Sequence, residues 1–240
     1  MKTNLFIILT ICLLACSPKE ELSGPAVIER SIAYHDPENQ WQSFLGQLKI
    51  NMEYADGSER LSTINYDKAK QIFSVSQVKG EDTVFRYIDQ DTIYSLLNGA
   101  VVENEDTIKQ WRLTPEGTRL YRDYYSYLYG LPMKLKDSGT LIGEKAEKVT
   151  FQDEEYLKVR VTYSEEVGSD IWYFYFDPED YSMDLYQFYH EAEKNDGEYI
   201  LLEGELSFKS MRIPKDRTWF TNDSSKLLGR DVLLEISELD

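Results

Sequence analysis

Apolar and polar positions alternate along most of this chain, and the two stretches where the period lengthens mark its helices. The first comes early. Ser23-Gly24-Pro25 offers a helix start, Ile28 and Ile32 form one apolar stripe, and His35-Asp36-Pro37 stops it. This predicts a short helix over about residues 25–35. From Leu45 the period becomes two, with Leu48, Ile50 and Met52 on one face, and Asp56-Gly57 reads as a hairpin turn. Strand-like segments near 59–66, 70–79, 83–89 and 91–97 make the first half largely a meander.

The second change begins at Thr114-Pro115-Glu116, where Thr114 can cap a helix and Pro115 sits in its first turn without losing a needed donor. Leu120, Tyr124 and Leu128 then recur every four residues, Tyr121 and Tyr125 form an adjacent stripe, and Gly130 with Pro132 ends the helix. So broad an apolar arc must be covered, either by packing on the sheet or by lying as a lid over a hydrophobic cavity. Strands resume near 145–151 and 156–163, followed by the aromatic run Ile171-Trp172-Tyr173-Phe174-Tyr175-Phe176. Asp177-Pro178-Glu179-Asp180 turns the chain, and Leu185 to His190 returns with Tyr186, Phe188 and Tyr189. Because alternation fails here, both faces of these strands should be covered, or one should line a cavity. Asn195-Asp196-Gly197 marks another hairpin, leading to a strand from Glu198 to Phe208. Pro214 in the next segment suits a strand start or an edge, and Trp219 with Leu227 to Ile236 completes the set.

The expected fold is mainly β with some α. It is one large curved antiparallel sheet or half-barrel of about ten to eleven strands, with the N-terminal helix and the helical insertion on its concave side. No second tether, low-complexity tract or fixed-period repeat interrupts it, so residues 24–240 read as one domain.

The N-terminus changes the setting. Lys2, an apolar stretch from Leu5 to Leu14 and the run Leu13-Leu14-Ala15-Cys16 form a bacterial lipoprotein signal, too short to span a bilayer. Residues 1–15 would be removed, Cys16 acylated, and residues 16–23 left as a tether. With Cys12 lost and Cys16 lipidated, neither cysteine of the chain remains for a disulfide, a metal or a nucleophile. Removing the leader takes Lys2 with it and leaves 25 basic against 43 acidic side chains. That surface repels nucleic acid and anionic lipid heads, so membrane attachment rests on the acyl chains alone.

Four segments then carry a resemblance: Ser31-Ile32-Ala33-Tyr34-His35-Asp36-Pro37, Tyr127 through Leu135, Trp172 through Pro178, and Asn195 through Leu202. Together they resemble motifs of an uncharacterised Bacteroidota lipoprotein family over nearly the whole mature chain. Lys19-Glu20-Glu21 behind the anchor is similar to the acidic export tag of surface-exposed lipoproteins of that group. The order of helix, meander, helical insertion and further strands is also similar to that of the lipoprotein carriers LolA and LolB. The resemblance implies an outer-membrane lipoprotein facing the periplasm or the cell surface, and a carrier-like cavity.

Enzyme chemistry finds no motif. His35 and His190 are the two histidines, and no Gly-x-Ser-x-Gly, His-Glu-x-x-His, Gly-x-Gly-x-x-Gly or P-loop pattern occurs. His190-Glu191 lacks its second histidine because Lys194 stands there, and Ala192 and Lys194 spoil a calcium loop around Asp196-Gly197. The expectation is no catalysis, no metal and no cofactor, in a monomer held to a membrane through Cys16. Two functions remain. In the first, Trp172, Phe174, Tyr186 and Phe188 line the concave side, with Tyr124 and Leu128 above them, and enclose lipid or another hydrophobic ligand. In the second, exposed rings on the sheet stack on sugars or contact a partner.

Overall fold

The computed structural model describes residues 22–239. The leader, Cys16 and most of the tether lie outside them. Twelve strands form one antiparallel sheet: β1 (Leu45–Tyr54), β2 (Glu59–Asp67), β3 (Ile72–Lys79), β4 (Asp82–Asp89), β5 (Thr92–Leu97), β6 (Thr140–Phe151), β7 (Glu154–Tyr163), β8 (Ile171–Phe176), β9 (Met183–Tyr189), β10 (Glu198–Phe208), β11 (Met211–Thr221) and β12 (Leu227–Ser237). Their order is β5-β4-β3-β2-β1-β12-β11-β10-β9-β8-β7-β6, two meanders joined where β12 pairs with β1. The helices are α1 (Gly24–His35), α2 (Glu105–Trp111) and α3 (Pro115–Gly130).

Among the described residues the strand count is thus twelve rather than ten or eleven. Pro214 does not mark an edge or a start: it lies inside β11, between β10 and β12. It is tolerated because β12 pairs with β11 only from Asp216 to Phe220, so the missing N–H falls beyond that ladder. The short helix α2 was not anticipated, although its signals are local. Asn104 accepts from the Thr107 N–H, and Glu105 and Asp106 fill the first turn.

The sheet is strongly curled. Laid flat, β3 and β8 would stand about 34 Å apart, seven steps at about 4.8 Å each. Yet Tyr125 of α3 receives a hydrogen bond from Gln77 of β3 at 3.0 Å, while Tyr127, two residues on, packs on Trp172 of β8 with ring centroids 5.4 Å apart. Only a sheet wrapped around α3 brings both within reach.

One main core fills the inside of this curl. It joins Leu48, Ile50, Ile64 and Val75 from one meander to Val159, Phe174, Ile200 and Leu233 from the other, beneath Val27 and Ile28 of α1 and Tyr125 and Tyr129 of α3. Among the described residues one sheet and one main core cluster run from β1 to β12. Aromatic residues on the outer face form a second, smaller cluster around Tyr175, Leu185 and Tyr199, with Phe151, Tyr156, Tyr173 and Phe220 packed against it. Both faces of β8 are therefore covered, the outer one by neighbouring rings rather than by a second layer.

Candidate functional site

The site begins with how α3 is seated. Thr114 Oγ1 accepts from the Gly117 N–H at 3.1 Å, capping the helix whose first residue is Pro115. At the other end Gly130 lies against Trp41, where a Cβ would come 2.5 Å from the indole. Trp41 is itself fixed. Its backbone N–H and that of Gln40 donate to the two carboxylate oxygens of Asp36 at 2.8 and 2.7 Å, and its ring stacks on Phe44.

So seated, α3 turns Tyr125, Leu128 and Tyr129 inward and leaves Leu120, at the start of the expected stripe, exposed. The reason is polar. Tyr125 Oη receives Gln77 Nε2, lies 3.0 Å from Ser62 Oγ and takes a longer bond from Arg60 at 3.4 Å. Beneath Tyr129 lies the Arg217 guanidinium, 4.0 Å from the ring centroid, which donates to the carbonyls of Leu128 at 3.2 Å and Pro214 at 2.7 Å. Arg86 does the same for the other end of the insertion, donating to Gln77 at 2.8 Å and to the Trp111 carbonyl at 2.6 Å under the Tyr121 ring. Cations at helix C-terminal carbonyls are favourably placed, so these two buried arginines fasten α3 and α2 to the sheet.

Arg217 pairs in register with Asp231, which pairs with Met52, which pairs with Arg60. The buried carboxyl of Asp231 is pushed up to about 6 by its burial, against the pull of Arg60 and Arg217. None of these charged residues was singled out from the sequence. The available signal was a charge in an inward phase, as with Arg86 between Val84 and Ile88.

Between the C-terminal half of α3, the turn at Met133–Lys136 and the ends of β7 and β8 a groove of about 430 Å³ stays open. Tyr127, Tyr163, Trp172 and Val167 supply its apolar wall, and Asp123, Asp170, Ser138 and Thr140 part of its polar rim. The Tyr127 and Tyr163 hydroxyls lie 2.6 Å apart and bond to each other. Burial pushes Tyr163 up to about 12 and Tyr127 well above the usual tyrosine range, so both stay neutral. Asp170 accepts from His190 Nδ1 at 2.8 Å, and that hydrogen bond raises the imidazole's proton affinity.

Of the six residues read as ligand-binding from the sequence, Trp172 lines this groove. Phe188 stacks on Trp172 with centroids 4.8 Å apart, and Phe174 and Tyr186 follow at 6.1 and 6.2 Å, so these three rings back it from within the core. Leu128 is buried in the core and Tyr124 packs edge-on against Tyr125. The interior that these side chains were to surround is largely filled by α1, α3 and the rings themselves. Tyr127, Tyr163 and Asp170 were not picked out, because the groove exists only where α3 brings Tyr127 against Tyr163 and Trp172.

His35 is structural. It closes α1 fully buried, with Nδ1 2.8 Å from the Arg212 carbonyl oxygen and Nε2 accepting from the Met183 N–H at 3.0 Å. On the outer face Phe85, Tyr87 and Tyr94 form a ring platform with centroids 5.3 to 6.5 Å apart, partly open to solvent. Among the described residues no group of three or more His, Cys, Asp or Glu side chains is placed to hold a metal ion. Among them, too, no helix is long and apolar enough to cross a membrane.

A family model described as a family of unknown function, DUF6503, matches residues 2–236. No curated protein matches the chain. Among solved structures, a LolA superfamily protein from Nitrosomonas europaea superposes with a TM-score of 0.49 at 10% identity, covering 91% of this chain and 94% of that one. A DUF1329 family protein from Desulfovibrio piger gives 0.49 at 4% identity, covering 90% and 92%. A domain titled as an outer membrane lipoprotein-sorting protein from Vibrio parahaemolyticus gives 0.46 at 6% identity, covering 90% and 92%.

Proposed function

This chain belongs to the DUF6503 family, and from that premise we propose that it is a lipid-anchored envelope protein that binds a lipid or another hydrophobic ligand in the groove beside α3. The observation that carries the reading is the groove itself. A groove of about 430 Å³ opens beside Tyr127, Tyr163 and Trp172, where three aromatic rings from α3, β7 and β8 meet. That volume falls within the roughly 300–1,000 Å³ of small-molecule sites, and an apolar wall with a few polar groups is their usual lining.

Trp172 makes the ligand contact, and Phe174, Tyr186 and Phe188 hold it in place. Acylation at Cys16 would keep the protein at the membrane that supplies the ligand, so it acts as a tethered acceptor rather than a shuttle. No catalytic role is assigned. The direct test is organic extraction and mass spectrometry of residues 22–240 purified from an envelope-expressing host. A hydrophobic compound near one equivalent, lost in Trp172→Ala, supports the reading. Protein that is empty in both forms and binds no added amphiphile overturns it.

A further inference from the structure

The charge arrangement around the groove points to the class of head group, an inference that rests on the reading above. Three carboxylates line it, those of Asp123, Asp137 and Asp170, with Lys134 as the one cation of its lining. Each carboxylate already has an ionic or hydrogen-bonding partner. Lys134 is paired with Asp137, Arg122 Nε lies 2.8 Å from Asp123, and His190 Nδ1 lies 2.8 Å from Asp170.

Among the described residues an anionic head therefore meets no free cation, and it approaches a chain of net charge −17. A cationic head meets carboxylates that already have partners, Lys134 on Asp137, Arg122 on Asp123 and His190 on Asp170. What the groove does retain is hydrogen-bonding capacity. A carboxylate has about four lone-pair positions and each pairing uses one or two, leaving acceptors on Asp123 and Asp170. Ser126 and Ser138 stand on the same rim. The Thr140 hydroxyl is buried with no hydrogen-bond partner among the described residues. The rings of Trp172 and Tyr127 line the same groove, and the Tyr127 and Tyr163 hydroxyls bond to each other. Apolar ring surface beside hydroxyls and spare acceptors matches a molecule with a flat apolar face and many hydroxyl groups.

We propose that the groove takes a neutral, hydroxyl-rich head group, the glycosyl head of an amphiphile, in preference to an anionic or cationic one. The ring of such a head lies against Trp172, and its hydroxyls donate to Asp170 and Asp123 and accept from Ser138 and Thr140.

The test uses residues 22–240 and four probes with the same eight-carbon tail, all below their micelle concentrations: octyl glucoside, octyl phosphate, octyltrimethylammonium and octanol. Titration calorimetry should show octyl glucoside binding about tenfold or more tightly than each of the other three, about the effect of one or two net hydrogen bonds. Asp170→Asn and Ser138→Ala, both on the groove rim, should each weaken octyl glucoside binding by more than octanol binding and so reduce that preference. Because Trp172→Ala also removes packing from the core, these rim variants carry the test. Equal or tighter binding of octyl phosphate, octyltrimethylammonium or octanol overturns the head-group assignment and leaves the hydrophobic-ligand reading intact. If no probe binds, the function proposed above falls and the assignment falls with it.

Discussion

His35 allows the sharpest stability prediction. A carbonyl can only accept, so Nδ1 must carry the proton toward Arg212 while Nε2 accepts from Met183, and the folded protein needs the neutral ring. Burial lowers its pKa from 6.5 to about 4. At about 1.36 kcal/mol for each unit, protonating His35 in the folded state costs about 3 kcal/mol. Because the folded pKa lies below the unfolded one, this stability is present above pH 6.5 and is lost as pH falls toward 4. Glu205, 3.9 Å from Nδ1, would offset part of the loss once the ring is charged, so about 3 kcal/mol is a ceiling. Asp231 works in the opposite sense, since its raised pKa favours the folded state as pH falls through about 6.

The assay must therefore compare two chains in which Asp231 is common. Urea unfolding of residues 22–240 and of His35→Gln, followed by tryptophan fluorescence between pH 7.5 and 4, gives their stability difference at each pH. Above pH 7 the variant should be the weaker by about 1–3 kcal/mol, for lost hydrogen bonds at a buried position. That gap should close by up to about 3 kcal/mol on acidification, with most of the change below pH 6.5. A difference that stays flat with pH would refute the neutral, doubly bonded ring.

Three further outcomes follow from the packing. Gly130→Ala drives a Cβ to 2.5 Å from Trp41, and overpacking of this kind costs about 1–3 kcal/mol, more than the helix propensity returns. Calorimetry should show the melting midpoint falling by a few degrees, and an unchanged or higher midpoint would mean that α3 is not seated on Trp41. Tyr125→Phe removes the hydroxyl that joins Ser62, Gln77 and Arg60, and chemical denaturation should register a loss of about 1–3 kcal/mol. A loss near zero would show that this junction contributes nothing. Cys16→Ser should release the protein from the membrane fraction on cell fractionation, and continued retention would refute attachment through acyl chains alone.

Local chemistry made much of the fold legible. α1 and α3 run close to their capping and proline signals, and Asp56-Gly57 and Asp196-Gly197 turn where they should, with both glycines at positive φ. These features depend on residues a few positions apart, so the order of letters is enough to specify them. Pro214 misled because a proline's cost depends on whether a neighbouring strand needs its N–H, and the parting of β12 from β11 lies in the pairing of distant segments.

The inner face was decided in the same non-local way. The surplus of rings in Trp172-Tyr173-Phe174-Tyr175-Phe176 was visible from the start, but not that those on one face would interlock with α3 while those on the other formed a cluster of their own. By itself the sequence determined most of the strands, both longer helices and the main turns, though neither α2 nor the full strand count, because period and turn chemistry act over a few residues. Tertiary structure alone decided the curl that lets one helix touch both β3 and β8, the burial of Arg86, Arg217 and Asp231, and the groove left beside Trp172. Those features arise where side chains from remote segments compete for the same space, a competition no local pattern records.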